Sequence, residues 1–219
     1  MLGKEVIDIS IDIYDGAPSF PGDTPCEVEP YHTIEESGYN TTRLALSSHH
    51  GTHLDAPLHF VADGAPVDRL DLAKCVGPAL LVDLSAKKAG EPIDLSDLEP
   101  YRDRIGPGSR VVIRTGWDRV YPDPRYFTDF PYITLELARW LADRGIALLG
   151  MDMPTPNGNS LQATTDVHQA LLEAEVVIVE WLARLEEIPG DEFYFIAAPL
   201  KIRGRDGSPV RALALVERD

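Results

Sequence analysis

The run His49-His50-Gly51-Thr52-His53-Leu54-Asp55-Ala56-Pro57-Leu58-His59-Phe60 holds four of the six histidines in the chain. Gly51 weakens a helix here and Pro57 breaks one, so the spacing predicts an extended, kinked segment. In an extended chain alternate residues share a face. His49, His53, Asp55 and His59 then lie on one face, and Leu54, Ala56, Leu58 and Phe60 lie on the other, where they can enter a core. His50 has the opposite parity and is expected outside the polar group. Gly51 is expected to let the backbone approach closely where a side chain would block an ion.

Imidazole nitrogens beside a carboxylate form a metal-ligand set, suited to zinc, manganese or iron. Three ligands, His49, His53 and Asp55, leave a coordination position open for water, as a catalytic site requires. A water acidified by the metal is a nucleophile near neutral pH. His59, four residues past the carboxylate, fits a general acid or base by type and parity. Far along the chain, His168 and Glu180 are a further pair, the glutamate ending the strand-like run Val176–Glu180. They either join the same site or are a solvent-facing histidine and a salt-bridged glutamate.

Period-two and branched runs predict strands at Val6–Ile13, Arg43–Ser48, Ala79–Leu84, Arg110–Arg114, Ala147–Met151, Val176–Glu180, Phe193–Ala197 and Val210–Val216. Helices are fewer: Thr134–Arg144, capped by Thr134 and ended by Gly145; Asp166–Ala174, with Asp166 as N-cap; and a weaker Leu95–Ile105. Many strands with few helices, not in strict alternation, predict a mixed α/β fold in a single domain over 1–219. Trp140 and Trp181 are expected in the core or a subunit interface, and Trp117 is a candidate to line the cleft.

Composition excludes several classes. The 219 residues carry 36 Asp plus Glu against 20 Lys plus Arg, a net charge of −16, which opposes binding to nucleic acid or to an anionic membrane surface. No apolar run approaches the ~20 residues of a spanning helix, and the N-terminus lacks a secretory pattern. Cys26 and Cys75 form no disulfide framework, so a reducing, cytoplasmic setting is expected. Neither cysteine has a neighbouring histidine in sequence, and no Gly-x-Ser-x-Gly or phosphate loop occurs. A non-catalytic metal-binding scaffold would show damage at His59 or Asp55, and both are intact.

The segment His49 to Phe60 satisfies every specified position of His-x-Gly-Thr-His-x-Asp-x-Pro-x-His-Phe, and here the chain resembles the metal-dependent hydrolases of the cyclase family, which include bacterial kynurenine formamidase. Further similar segments are Pro21–Pro25, Ala62–Pro66, Arg114–Trp117, His168 to Glu180, Ala198–Ile202 and Asp206–Arg211. The resemblance implies a swivelling β/β/α fold, assembled as a homodimer or higher homo-oligomer. It implies a first divalent metal on His49, His53 and Asp55, with Asp55 bridging to a second one held by His168 and Glu180 in binuclear members. Zinc is the expected ion, one or two per chain, with manganese the alternative, and His59 is the implied acid/base. The implied reaction is hydrolysis of a small-molecule amide, N-formylkynurenine to kynurenine and formate, or of a cyclic amide such as the lactam of isatin. One position departs from the formamidases: Phe20 stands where they carry a substrate-contacting Trp, which places Phe20 at the substrate.

Overall fold

The computed structural model describes residues 4–217. Thirteen strands occur among them: β1 (Lys4–Asp8), β2 (Glu27–His32), β3 (Thr41–Ala45), β4 (His53–Asp55), β5 (Val76–Asp83), β6 (Pro92–Ile93), β7 (Arg110–Arg114), β8 (Tyr132–Ile133), β9 (Leu148–Met151), β10 (Val177–Glu180), β11 (Glu192–Ile196), β12 (Gly207–Pro209) and β13 (Leu213–Glu217). The α-helices among the described residues are α1 (Ile34–Ser37), α2 (Leu135–Asp143) and α3 (Leu161–Leu172).

Nine strands form one mixed sheet in the order β1-β13-β11-β5-β7-β9-β10-β4-β12. Its centre, β5-β7-β9-β10, is parallel, and every other pairing is antiparallel. The central strands are apolar on both faces because both faces are covered. Leu81, Val112, Leu148, Val177 and Val179 enter a core shared with Ile9, Leu182 and Phe195. The intervening residues Leu80, Val82, Val111, Ile113, Leu149 and Ile178 face the second core, closed by α2 and α3. Leu137, Ala138 and Leu141 of α2 are fully buried there, each leucine contributing about 1.5–3 kcal/mol of transfer free energy. Among the described residues no helix is long and apolar enough to cross a membrane.

The expected strands and α2 appear, with Thr134 Oγ1 accepting from Leu137 N as N-cap. Several elements differ from expectation. The first strand stops at Asp8, after which Ile9 still donates to Ala212 O but the chain leaves the sheet. The second helix starts at Leu161, capped by Ser160, not at Asp166; Asp166 instead accepts from Gln162 Nε2 within the helix. Thr164 and Thr165 return their hydroxyls to carbonyls four residues earlier, which satisfies these polar side chains inside the helix. Leu95–Arg104 is a 3-10 helix, since Pro100 supplies no N–H for an α-helical ladder. The short β12 and the strand β2 carried no pattern that sequence reasoning recognised, and β3 begins and ends earlier than the expected Arg43–Ser48.

Candidate active site

The site lies where β4 is inserted between β10 and β12. Register pairs His53 with Glu180 and Asp55 with Ile178 on one side, and Asp55 with Gly207 on the other. His53 and Asp55, two apart on one strand, face the same way, and Glu180 projects beside His53. Helix α3 packs on β10 and delivers His168 to the same point. His53, Asp55, His168 and Glu180 are all buried.

Their separations approach those of atoms sharing an ion, three of the four within the expected range. His53 Nε2 lies 3.3 Å from Glu180 Oε2 and 3.4 Å from Asp55 Oδ1. His168 Nε2 lies 3.4 Å from Glu180 Oε1 and 3.8 Å from Asp55 Oδ2. Ligands about 2.0–2.2 Å from a tetrahedral ion stand about 3.3–3.6 Å from one another. The second nitrogen of each ring is fixed. His53 Nδ1 donates to Gly51 O at 2.9 Å and His168 Nδ1 donates to Thr164 O at 2.8 Å, so both present Nε2 to the cluster. Asp55 Oδ2 is buried without a hydrogen-bond partner, a costly state for a carboxylate that a cation would relieve.

The local field has the matching sign. Burial would lower the His53 imidazole, but Asp55 and Glu180 push it up to about 10. Burial also opposes the charge on His49, yet Asp55 and Asp206 push it up to about 9. Burial would raise the Asp55 carboxyl, and the facing imidazoles of His59 and His49 instead hold it well below its usual range. The carboxylates call for positive charge at their centre, so the donor set fits a divalent cation.

His49 and His59 arrive through turns. His49 Nδ1 is 2.7 Å from Asp55 Oδ1, and the His59 ring stacks on His49 with centroids 3.9 Å apart. His59 sits in the 3-10 turn Pro57–His59, which continues from Ala56. Its side chain is 28% exposed, against 13% for His49, 2% for His53 and 3% for His168. All four imidazoles line the cavity, and His59 is the most exposed of them. His49, Asp55 and His59 nevertheless offer nitrogens and an oxygen within 4.8 Å of one another, so His59 also stands within ligand reach.

Several expectations need correction. Phe60 does not enter the core on the far face; the 3-10 turn rotates it onto His168, stacked at 4.3 Å, where it walls the cavity. Gly51 adopts φ +65° to make the turn between His49 and His53, and a Cβ there would meet Ile13, so its role is backbone conformation and not room for an ion. Trp117 packs against the helix-side core with Nε1 donating to Tyr126 O, and does not line the cavity. Trp181 is buried as expected but also forms a cavity wall. His50 lies outside the cluster, buried and hydrogen-bonded through Nδ1 to Ser19 Oγ at 3.2 Å.

A cavity of about 240 Å³ opens above the cluster, lined by Phe20, Phe60, Pro154, Leu161 and Trp181 besides the polar groups. Phe20 meets Phe127 edge to face at 6.0 Å. Sequence reasoning missed three contributors. Thr52 Oγ1 donates to Trp181 O at 2.6 Å and accepts from Ile11 N at 2.8 Å. Trp181 itself holds φ +57°, a strained conformation for a bulky residue, directly after Glu180. Asp206 Oδ2 lies 2.5 Å from His49 Nε2. Its position in Asp206–Arg211 was visible, but the contact spans 157 residues of chain.

Comparison with known proteins gives the family and matches the fold. The family model described as "Putative cyclase" matches residues 7–157. Kynurenine formamidase of Erythrobacter litoralis is 34% identical over 211 residues, covering 96% of this chain and 93% of that protein. A solved structure described as a potential metal-dependent hydrolase with cyclase activity superposes with TM-score 0.81 at 29% identity, covering 99% of both chains. Isatin hydrolase A from Labrenzia aggregata, bound to benzyl benzoate, gives TM-score 0.87 at 25% identity, covering 99% of this chain and 95% of that one.

Proposed function

The chain belongs to the cyclase family and is a metal-dependent hydrolase of amide C–N bonds, and from that premise we propose that it hydrolyses N-formylkynurenine to kynurenine and formate. The observation that carries this reading is the convergence of His49, His53, Asp55, His168 and Glu180 under a small aromatic-walled cavity, with the more exposed His59 at its floor. In this reading the five residues hold one or two divalent ions, zinc first and manganese second, since mixed imidazole and carboxylate donors suit both. Such an ion supplies, when bound, Lewis acidity toward a carbonyl and an acidified water.

The protein's own groups do the rest. Gly51 O and Thr164 O hold the His53 and His168 rings so that Nε2 faces inward. His59 takes a proton from the attacking water at a ring nitrogen and returns it to the leaving nitrogen, so that formate and the free amine depart. Phe20, Phe60 and Trp181 receive the aryl group and exclude water from it. The cavity is smaller than the ~300–1,000 Å³ of clefts for drug-sized ligands, which suits a single-ring substrate.

The reading takes the chain as one hydrolase domain, supported by β1 from the N-terminal part pairing with β13 from the C-terminal part of the same sheet. It also takes the enzyme as a homodimer or higher homo-oligomer. Support comes from the β2–β3 ribbon, which exposes Tyr31 and Leu44; a two-stranded ribbon is marginal alone in water. The test is turnover of N-formylkynurenine by protein stripped with a chelator and reloaded with zinc or manganese. Activity lost on stripping and regained with one ion is expected. No turnover in any loaded form, with rapid opening of isatin, would move the substrate to the lactam.

A further inference from the structure

The structure assigns Asp206 as a positioning residue that sets which nitrogen of His49 faces the metal. The inference rests on the metal reading above and goes beyond it. Each buried ligand histidine needs one nitrogen anchored so that the other is presented. His53 and His168 are anchored at Nδ1 by backbone carbonyls and turn Nε2 inward. His49 is reversed. Its Nε2 lies 2.5 Å from Asp206 Oδ2, and its Nδ1 lies 2.7 Å from Asp55 Oδ1, the oxygen that also faces His53. Nε2–H therefore donates to Asp206, and Nδ1 is the donor atom offered to the ion.

Two further observations show that the C-terminal loop is built around this ring. Gly207 has no side chain where a Cβ would stand 2.6 Å from His49 Cε1 and 2.7 Å from Leu54 O. Asp206 is itself held from three sides: its carbonyl accepts from Ala56 N at 2.8 Å, Ser48 Oγ donates to Oδ2 at 3.2 Å, and Gly207 pairs with Asp55 in the β12–β4 ladder. His59 Nδ1 is 3.8 Å from Asp206 Oδ2, beyond hydrogen-bond reach, so the carboxylate hydrogen-bonds His49 and meets the proposed acid/base only through longer-range attraction. Unlike a carbonyl anchor, this one is charged and makes Nδ1 a stronger donor.

The test compares zinc affinity, by competition with a chelating indicator, and the ring nitrogens of His49, by long-range ¹H–¹⁵N spectra of zinc-loaded protein. Asp206→Ala is expected to weaken zinc binding about 10- to 100-fold, the usual effect of losing such a partner, and to unlock the His49 tautomer. Asp206→Asn keeps an amide oxygen able to accept from Nε2–H and should recover most of the affinity. Gly207→Ala should displace the His49 ring and weaken binding with Asp206 intact. Unchanged affinity and spectra in Asp206→Ala would overturn the assignment, and so would spectra of the unaltered protein showing zinc on Nε2. The latter decides the matter even if a variant fails to fold. Failure of the unaltered protein to bind zinc or manganese would instead overturn the metal reading and the inference with it.

Discussion

Replacing Thr52 with Val tests the claim that this hydroxyl clamps the strained turn behind the site. Valine matches threonine in shape, so no cavity forms and the change isolates two hydrogen bonds. Trp181 O loses its donor at 2.6 Å and Ile11 N loses its acceptor at 2.8 Å. A buried group left without its partner costs about 1–3 kcal/mol, so the pair costs about 2–6 kcal/mol. For a chain of this length each kcal/mol moves the thermal midpoint by about 2–4 °C, which predicts a fall on the order of 10 °C. The clamp also opposes relaxation of Trp181 from φ +57°, a conformation costing about 1–3 kcal/mol. Freed from it, Glu180 drifts from His53 and zinc affinity drops as well. Differential scanning calorimetry and a zinc titration of Thr52→Val and Thr52→Ser read both effects, with serine retaining most of each. A valine variant within about 2 °C of the unaltered protein would refute the clamp.

Replacing His59 with Ala should lower the hydrolysis rate about 10²- to 10⁴-fold while the protein keeps its full metal content; metal lost along with the ring would make His59 a ligand instead. Phe20→Ala should raise KM several-fold with a smaller change in kcat, since it removes an aromatic wall and its contact with Phe127; an unchanged KM would take Phe20 out of the substrate site. Burial pushes Asp152 up to about 7, against hydrogen bonds from Thr115 and Gly116, so between its unfolded value near ~3.9 and 7 the folded chain binds the extra proton. Stability from this group is therefore fully present below ~4 and declines as pH rises to 7, by up to about 4 kcal/mol, and Asp152→Asn should remove that slope from a plot of thermal midpoint against pH; parallel plots would contradict it.

Much of the fold was legible because its central strands declare themselves. Between Arg110 and Arg114 the run Val111–Ile113 is branched and apolar without interruption, since both faces of β7 are covered. Helix α2 was legible because its cap, its apolar stripe and Gly145 agree. The helix carrying His168 was half legible. Its first turn, Leu161-Gln162-Ala163-Thr164, exposes Leu161 at the cavity mouth, so the apolar pattern begins only at Val167. The strand β12 was illegible, because Gly207-Ser208-Pro209 has the composition of a turn and becomes a strand only by pairing with β4.

The candidate site shows a sharper division. Parity recognised that His53 and Asp55 share a face, and the structure makes the reason plain: Leu54 between them is fully buried in the sheet core. A slip of one residue in β4 would carry Leu54 into the cluster and both ligand-type side chains into the hydrophobic core. Burial of Leu54 thus pins the register that sets His53 opposite Glu180, so the apolar residue places the site as firmly as the polar ones. Parity fails on either side of this short strand, where Gly51 and Pro57 bend the chain. There His49 and His59 reach the cluster by turns, and what fixes them lies far along the sequence, in Asp206 for one and in the stack of aromatic rings for the other. Local periodicity can place a side chain only as far as the regular backbone extends, and in β4 that is three residues.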